Sequence, residues 1–293
     1  MKIINSIFLF LIATTITAQP DDIVDKNYYT HTNLIELWGN YHINSNTIIN
    51  DFTNHFYLSQ FLDSSLKNRV AANLKYQNRL GLNADAGFYY KCSPDTLFGR
   101  PKLSIFIAIK NREHFDMRFS DDFFNLVFYG NRKFAGKTAD LNNFNFNYLK
   151  YQQFTTGIEW SGLDHSAKIG MGFSVLKGER HLHLNAKKAE LYTNEYGEYV
   201  DFKSLINVSM SDTSNKGIKA INGYGFSTDL FFEAPYKTKH ASGKISIKVS
   251  DLGFINWNNK GLVMNKILHT IMKGKKLKTF SNYLTSKRLM LIV

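Results

Sequence analysis

The chain has 293 residues and a formal net charge of +12, with 24 Phe and 16 Tyr against 4 Pro and a single Cys. One Cys excludes an intramolecular disulfide framework, and the length allows one sizeable all-β domain. The charge does not read as a nucleic-acid footprint, which would spread over the body of a domain. Seven Lys or Arg and no acid fall within Met264–Val293; without that segment +5 remains, and without Lys2 +4 remains.

The N-terminus has the order of a secretory signal peptide. Lys2 precedes the apolar run Ile7–Ile12, the small and polar stretch Thr14–Ala18 follows, and Gln19 begins the mature chain. The run is too short to cross a bilayer as a helix, which takes about 20 apolar residues. Residues 1–18 are therefore expected to be a signal peptide and residues 19–263 the folded domain.

Leu58, Phe61, Leu62 and Leu66 fall at helical spacing and predict a short helix. Leu82, Ala84, Ala86, Phe88 and Tyr90 then alternate with polar or small residues, the period of a strand. Ser120 offers an N-cap, Asp121 and Asp122 first-turn acids, and Gly130-Asn131 a stop, so a second helix is predicted around Phe123–Phe128. Phe144, Phe146 and Tyr148 alternate with Asn143, Asn145 and Asn147, and Phe154–Trp160 continues the pattern. The polar turn Ser161–His165 leads to Ala167, Ile169, Met171, Phe173 and Val175 on one face of the next strand. Further strands are predicted at Lys187–Asn194, at Tyr199–Met210 and around Ile245–Val249, with Asn194–Gly197 as a turn and Ser211–Gly217 as a polar loop. Hairpin after hairpin predicts an antiparallel meander.

Long alternating strands fit an outer-membrane barrel, with the polar set lining a lumen and the apolar set meeting lipid. Tyr148, Tyr151, Trp160, Tyr192, Tyr196, Tyr199 and Tyr236 gather near strand ends, where an interfacial girdle would lie.

Familiar catalytic signatures fail on spacing or context. Gly136-Lys137-Thr138 echoes a phosphate loop, but Gly130 stands one residue too far and a strand pattern follows. His181 and His183 share a strand face without an identifiable third metal ligand. The paired glycines at 170 and 172, and at 223 and 225, lie inside strands, where Gly marks a bulge or a close backbone approach. Arg112, Arg118, Arg132 and Lys133 flank the second helix and suit a polar rim or an anionic contact. No catalytic, cofactor-binding or metal-binding residue is expected, no cofactor is implied, and the chain is not expected to be an enzyme.

The stretches Phe115–Asn131 and Phe134–Asp140 resemble a family of uncharacterised Bacteroidota outer-membrane β-barrels, as do Gly223–Asp229 and Val249–Trp257. The resemblance spans roughly Leu34 to Asn258. It implies a transmembrane β-barrel, complete or not, with one or two short helices, located in the cell outer membrane. Its expected role is passive solute passage or a structural or assembly role, and its expected partners are outer-membrane lipid, lipopolysaccharide and a small solute, with no nucleic acid. Residues 264–293 depart from that pattern as a basic tail, for which a frameshift near Val263 is the expectation. The alternative is a soluble periplasmic or secreted all-β binding module, such as a carbohydrate binder.

Overall fold

The computed structural model describes residues 32–162, 167–238, 241–273 and 276–284. The proposed signal peptide, and Leu163, Asp164 and His165 of the predicted turn, lie outside them. In chain order the elements are β1 (Thr32–Ser45), α1 (Asn50–Tyr57), α2 (Ser64–Asn73), β2 (Asn78–Ser93), β3 (Thr96–Leu97), β4 (Arg100–Pro101) and β5 (Leu103–Phe119). Then come α3 (Asp121–Tyr129), β6 (Lys137–Asp140), β7 (Phe144–Ser161), β8 (Lys168–Thr193), β9 (Tyr199–Met210), β10 (Gly223–Lys237), β11 (Ser242–Trp257), β12 (Leu262–Lys273) and β13 (Lys276–Leu284).

Eleven strands form one antiparallel sheet in the order β1-β2-β5-β7-β8-β9-β12-β13, which forks at β8. The first part of this 26-residue strand, Lys168–Gly178, pairs with β10, and its last part, Leu182–Thr193, pairs with β9. Asn222 holds the fork. Its side chain is fully buried, and its Nδ2 donates to the carbonyls of Glu179 at 2.7 Å and Asn215 at 3.1 Å. Its own N–H donates to the Gly178 carbonyl at 2.8 Å.

The expectation of a closed transmembrane barrel is corrected by this topology. Among the described strands β1 pairs only with β2, β11 only with β10, and β13 only with β12, so the sheet keeps open edges. Two-residue alternation fixes the face each side chain takes. Closure depends on tilt and stagger between first and last strands, which alternation does not carry. The expected lumen is instead an open trough.

The sheet nevertheless curls strongly. Lys110 of β5 reaches Asp229 of β10, three strands along the sheet, with 3.7 Å between charged atoms. Arg112 of β5 reaches Asp251 of β11 at 2.7 Å. The concave face is covered and mixes polar with apolar groups: Gln153 and Thr155 are 1% exposed and Ser174 3%, and Phe106, Leu176 and Ile255 are buried beside them. The convex face carries Phe154, Ile158, Trp160, Ile169, Phe173, Phe226 and Phe254, all exposed. The outward face carries the greasy set predicted from alternation, whereas the inward face combines the polar set with buried apolar side chains.

Three helices cover one end. Phe52 of α1, Leu66 and Val70 of α2, and Phe124 of α3 bury against Ile48 and Phe119. α3 follows its sequence signals: Ser120 Oγ accepts from the Phe123 N–H at 3.1 Å, and Gly130 takes φ 77° at the C-cap. The helix predicted through Leu58–Leu66 falls instead mostly on the link between α1 and α2, with only Leu66 inside a helix. Ser59 turns left-handed at φ 54°, and Asp63 Oδ1 caps a new helix by accepting from the Leu66 N–H at 2.6 Å. The start of the basic tail is also regular: β12 pairs with β9 from Leu262↔Met210 to Lys273↔Tyr199.

Candidate functional site

The concave face is a ladder of inward side chains. In adjacent strands of the register Asn83 faces His114, His114 faces Leu149, and Asn147 faces His183. These rungs share a face because paired residues in antiparallel strands point the same way. Near the helical end the ladder widens into a cleft of about 550 Å³, lined by residues that include Asn44, Asn46, Arg79, Asn83, His114, Asp116 and Asn147.

The cleft is rich in carboxamides that are already aimed. Asn83 Oδ1 engages His114 Nδ1 at 2.6 Å, so its amide NH₂ is left as donor. Asn46 Oδ1 accepts from the Arg79 N–H at 2.7 Å. Asn147 Nδ2 donates to Asn145 Oδ1 at 2.7 Å while its oxygen meets His183 Nδ1. His114 stacks on Tyr151, with ring centroids 5.9 Å apart and planes inclined by 24°.

Burial governs the ionisation of this face. It pushes His114 below the usual imidazole range, helped by the Arg112 guanidinium, and lowers His183 as well. It pushes His181 down to about 4, with His183 adding to the shift, and raises the Tyr151 phenol to about 12. Tyr148 is raised further by burial and by its hydrogen bond to Glu113. The three histidines are thus neutral near pH 7 and offer one donor and one acceptor each.

Above the cleft the trough is crossed by charge pairs. Asp251 accepts from Arg112 Nη1 at 2.7 Å and from Gln153 Nε2 at 2.8 Å, and its own N–H donates to Asp229 Oδ1 at 2.6 Å. Lys91 pairs with Glu159 at 3.1 Å on the same face. Lys91, Lys110 and Arg112 on the trough wall thus each meet an acid, and the Arg112 pair ties opposite walls together.

The side chains weighed from sequence are dispersed. His181 Nε2 lies 3.2 Å from Ser209 Oγ, and among the described residues no group of three His, Cys, Asp or Glu could hold a metal ion. Gly136 directly precedes β6, a strand, so no helix start stands behind Lys137. Asp122 Oδ2 accepts from the Asp140 N–H at 2.8 Å and fastens α3 to β6. Arg112 points into the trough, Arg118 is exposed, and Lys133 donates to Asn125 Oδ1 at 2.8 Å, so the basic residues do not converge on one anion. The strand glycines are close approaches: a Cβ on Gly225 would stand 1.8 Å from the Phe254 carbonyl oxygen. Sequence reasoning singled out neither Asn83 nor His114. The signal was the alternation of Asn143, Asn145 and Asn147, which marked a polar face without marking its neighbours.

A family model described as a family of unknown function (DUF5723) matches residues 23–278. No curated protein and no solved structure matches the chain. The match carries no organism group and no location, so the resemblance to a Bacteroidota outer-membrane barrel family is corrected to this match. Outer-membrane placement, solute passage through a barrel, and lipid and lipopolysaccharide as partners all rested on a closed barrel, and the open sheet removes that basis. No helix among the described residues is long and apolar enough to cross a membrane.

Proposed function

We propose that this chain, which belongs to the DUF5723 family of unknown function, is an exported all-β binding module, periplasmic or secreted. Its cleft takes a neutral polyhydroxylated ligand, a carbohydrate, without turning it over. The observation that carries this reading is the set of four asparagines, Asn44, Asn46, Asn83 and Asn147, lining one cleft with neutral His114. A sugar presents hydroxyls that both donate and accept, and carboxamides and neutral imidazoles match that duality. Arg79 and Asp116 both line the cleft and offset each other in charge, which suits an uncharged ligand. The volume falls in the range of small-molecule sites, about 300–1,000 Å³. The order of charged, apolar and small residues at the N-terminus supports export.

Calorimetric titration of the full mature chain with a panel of neutral mono- and oligosaccharides tests the reading. At least one is expected to bind, and Asn83→Ala with Asn147→Ala is expected to weaken it about tenfold or more, since each lost hydrogen bond is worth ~0.5–1.5 kcal/mol. Binding to charged saccharides alone, or an affinity indifferent to both substitutions, would overturn it.

A further inference from the structure

We propose that β1 is a dimerisation edge, pairing antiparallel with β1 of a second copy of this chain about a two-fold axis through Gly39. β1 makes a continuous ladder with β2 from Thr32↔Ser93 to Ser45↔Leu80, and its other side has no strand among those described. From Asn33 to His42 every residue is exposed except half-buried Trp38.

Edge strands are normally blunted by Lys, Pro or a bulge. β11 has such protection: Lys244 and Lys248 lie along it, and its register with β10 shifts between Thr228 and Leu230. β1 contains no Lys, no Pro and no register shift. It also exposes apolar side chains, with Ile35 65% and Leu37 77% accessible. This is an open template for another strand.

The sequence of β1 selects the occupant. An antiparallel pair of identical strands keeps concave against concave and convex against convex only when the axis passes through a residue position. With the axis at Gly39, Glu36 faces His42 of the second copy, and these are the strand's one acid and one histidine. Leu37 then faces Tyr41, Ile35 faces Ile43, and Trp38 faces Asn40. Moving the axis to Trp38 sets Glu36 against Asn40 and Leu37 against Gly39; moving it to Asn40 sets Glu36 against Asn44 and Trp38 against His42. Only the Gly39 axis joins a carboxylate–imidazole pair on one face to apolar pairing on the other.

The register makes a sharp test by disulfide trapping in a Cys92→Ser background. A Cβ on Gly39 meets nothing within 4 Å, so Gly39→Cys is accommodated. Facing residues in an antiparallel pair stand about 4.5–5.5 Å apart between Cα atoms, within disulfide reach. Gly39→Cys is expected to link to itself on mild oxidation. Ile35→Cys and Ile43→Cys are expected to link when the two variants are mixed and not when each is alone. Sedimentation of the full mature chain should show dimer. Glu36→Lys should weaken association about tenfold, two Glu36–His42 contacts being lost by symmetry, and adding His42→Glu should restore it. A strictly monomeric chain overturns the proposal. So does a dimer in which Ile35→Cys links to itself as readily as Gly39→Cys, or in which Glu36→Lys with His42→Glu is no tighter than Glu36→Lys alone. Far-ultraviolet circular dichroism of each variant separates lost pairing from lost folding.

Discussion

Arg112→Ala should loosen the curl of the whole sheet rather than one local contact. The guanidinium of β5 meets Asp251 of β11 at 2.7 Å, and both side chains are 19% exposed. Exposed pairs are worth ~0–1 kcal/mol, whereas removing one partner of a fully buried pair costs ~3–5 kcal/mol. A pair this covered lies between, so a loss of about 2 kcal/mol is expected. Asp251 is also held by Gln153 and holds Asp229 through its backbone N–H, so the stranded carboxylate retains some partners. Urea unfolding followed by tryptophan emission gives the measurement, with exposed Arg118→Ala as the control at no more than ~0.5 kcal/mol. A double-mutant cycle with Asp251→Asn isolates the pair, and Asn is suited to the left-handed backbone there, φ 59°. Equal losses for Arg112→Ala and Arg118→Ala, or a coupling with Asp251 near zero, would refute the view that cross-trough pairs hold the curl.

Stability should fall as pH drops through the range set by the buried histidines. His181, 7% exposed, is held neutral with its pKa down to about 4, against an ordinary value of 6.5. The unfolded chain therefore binds the extra proton first. The contribution of neutral His181 is whole above pH 6.5, is lost progressively towards about 4, and reaches on the order of 3 kcal/mol. His183 and His114 shift in the same direction and steepen the slope. Urea midpoints at several pH values should show this slope, and a His181→Asn chain should show a shallower one; identical slopes would count against it. Gly225→Ala should cost several times more than Gly39→Ala by the same measurement. The new methyl would sit 1.8 Å from the Phe254 oxygen in the first case and in open space in the second. Comparable effects would show that β10 and β11 separate more freely than their ladder implies.

Much of the local structure was legible in the residues themselves. Ser120, the acids after it and Gly130 specified α3, because capping is short-range chemistry. The Asn and Phe alternation in 143–148 and the Ala, Ile, Met, Phe and Val alternation in 167–175 specified two faces, because strand side chains alternate by geometry. Leu58–Leu66 misled, because helical spacing cannot show that Ser59 breaks the backbone and Asp63 starts again. The site was only half legible: Asn147 belonged to a visible pattern, whereas Asn83 and His114 gained meaning from strand neighbours 31 residues apart in sequence.

By itself the sequence determined which side chains share a face, where one helix is capped, and that one face of the sheet is greasy. These are consequences of local backbone period and hydrogen-bonding reach. Tertiary structure alone decided that β8 forks, that the described strands leave the sheet open at β1, β11 and β13, and that Arg112 meets Asp251 across the trough. Each of these depends on register and curvature summed over several strands, and no pattern within a single strand encodes such a sum.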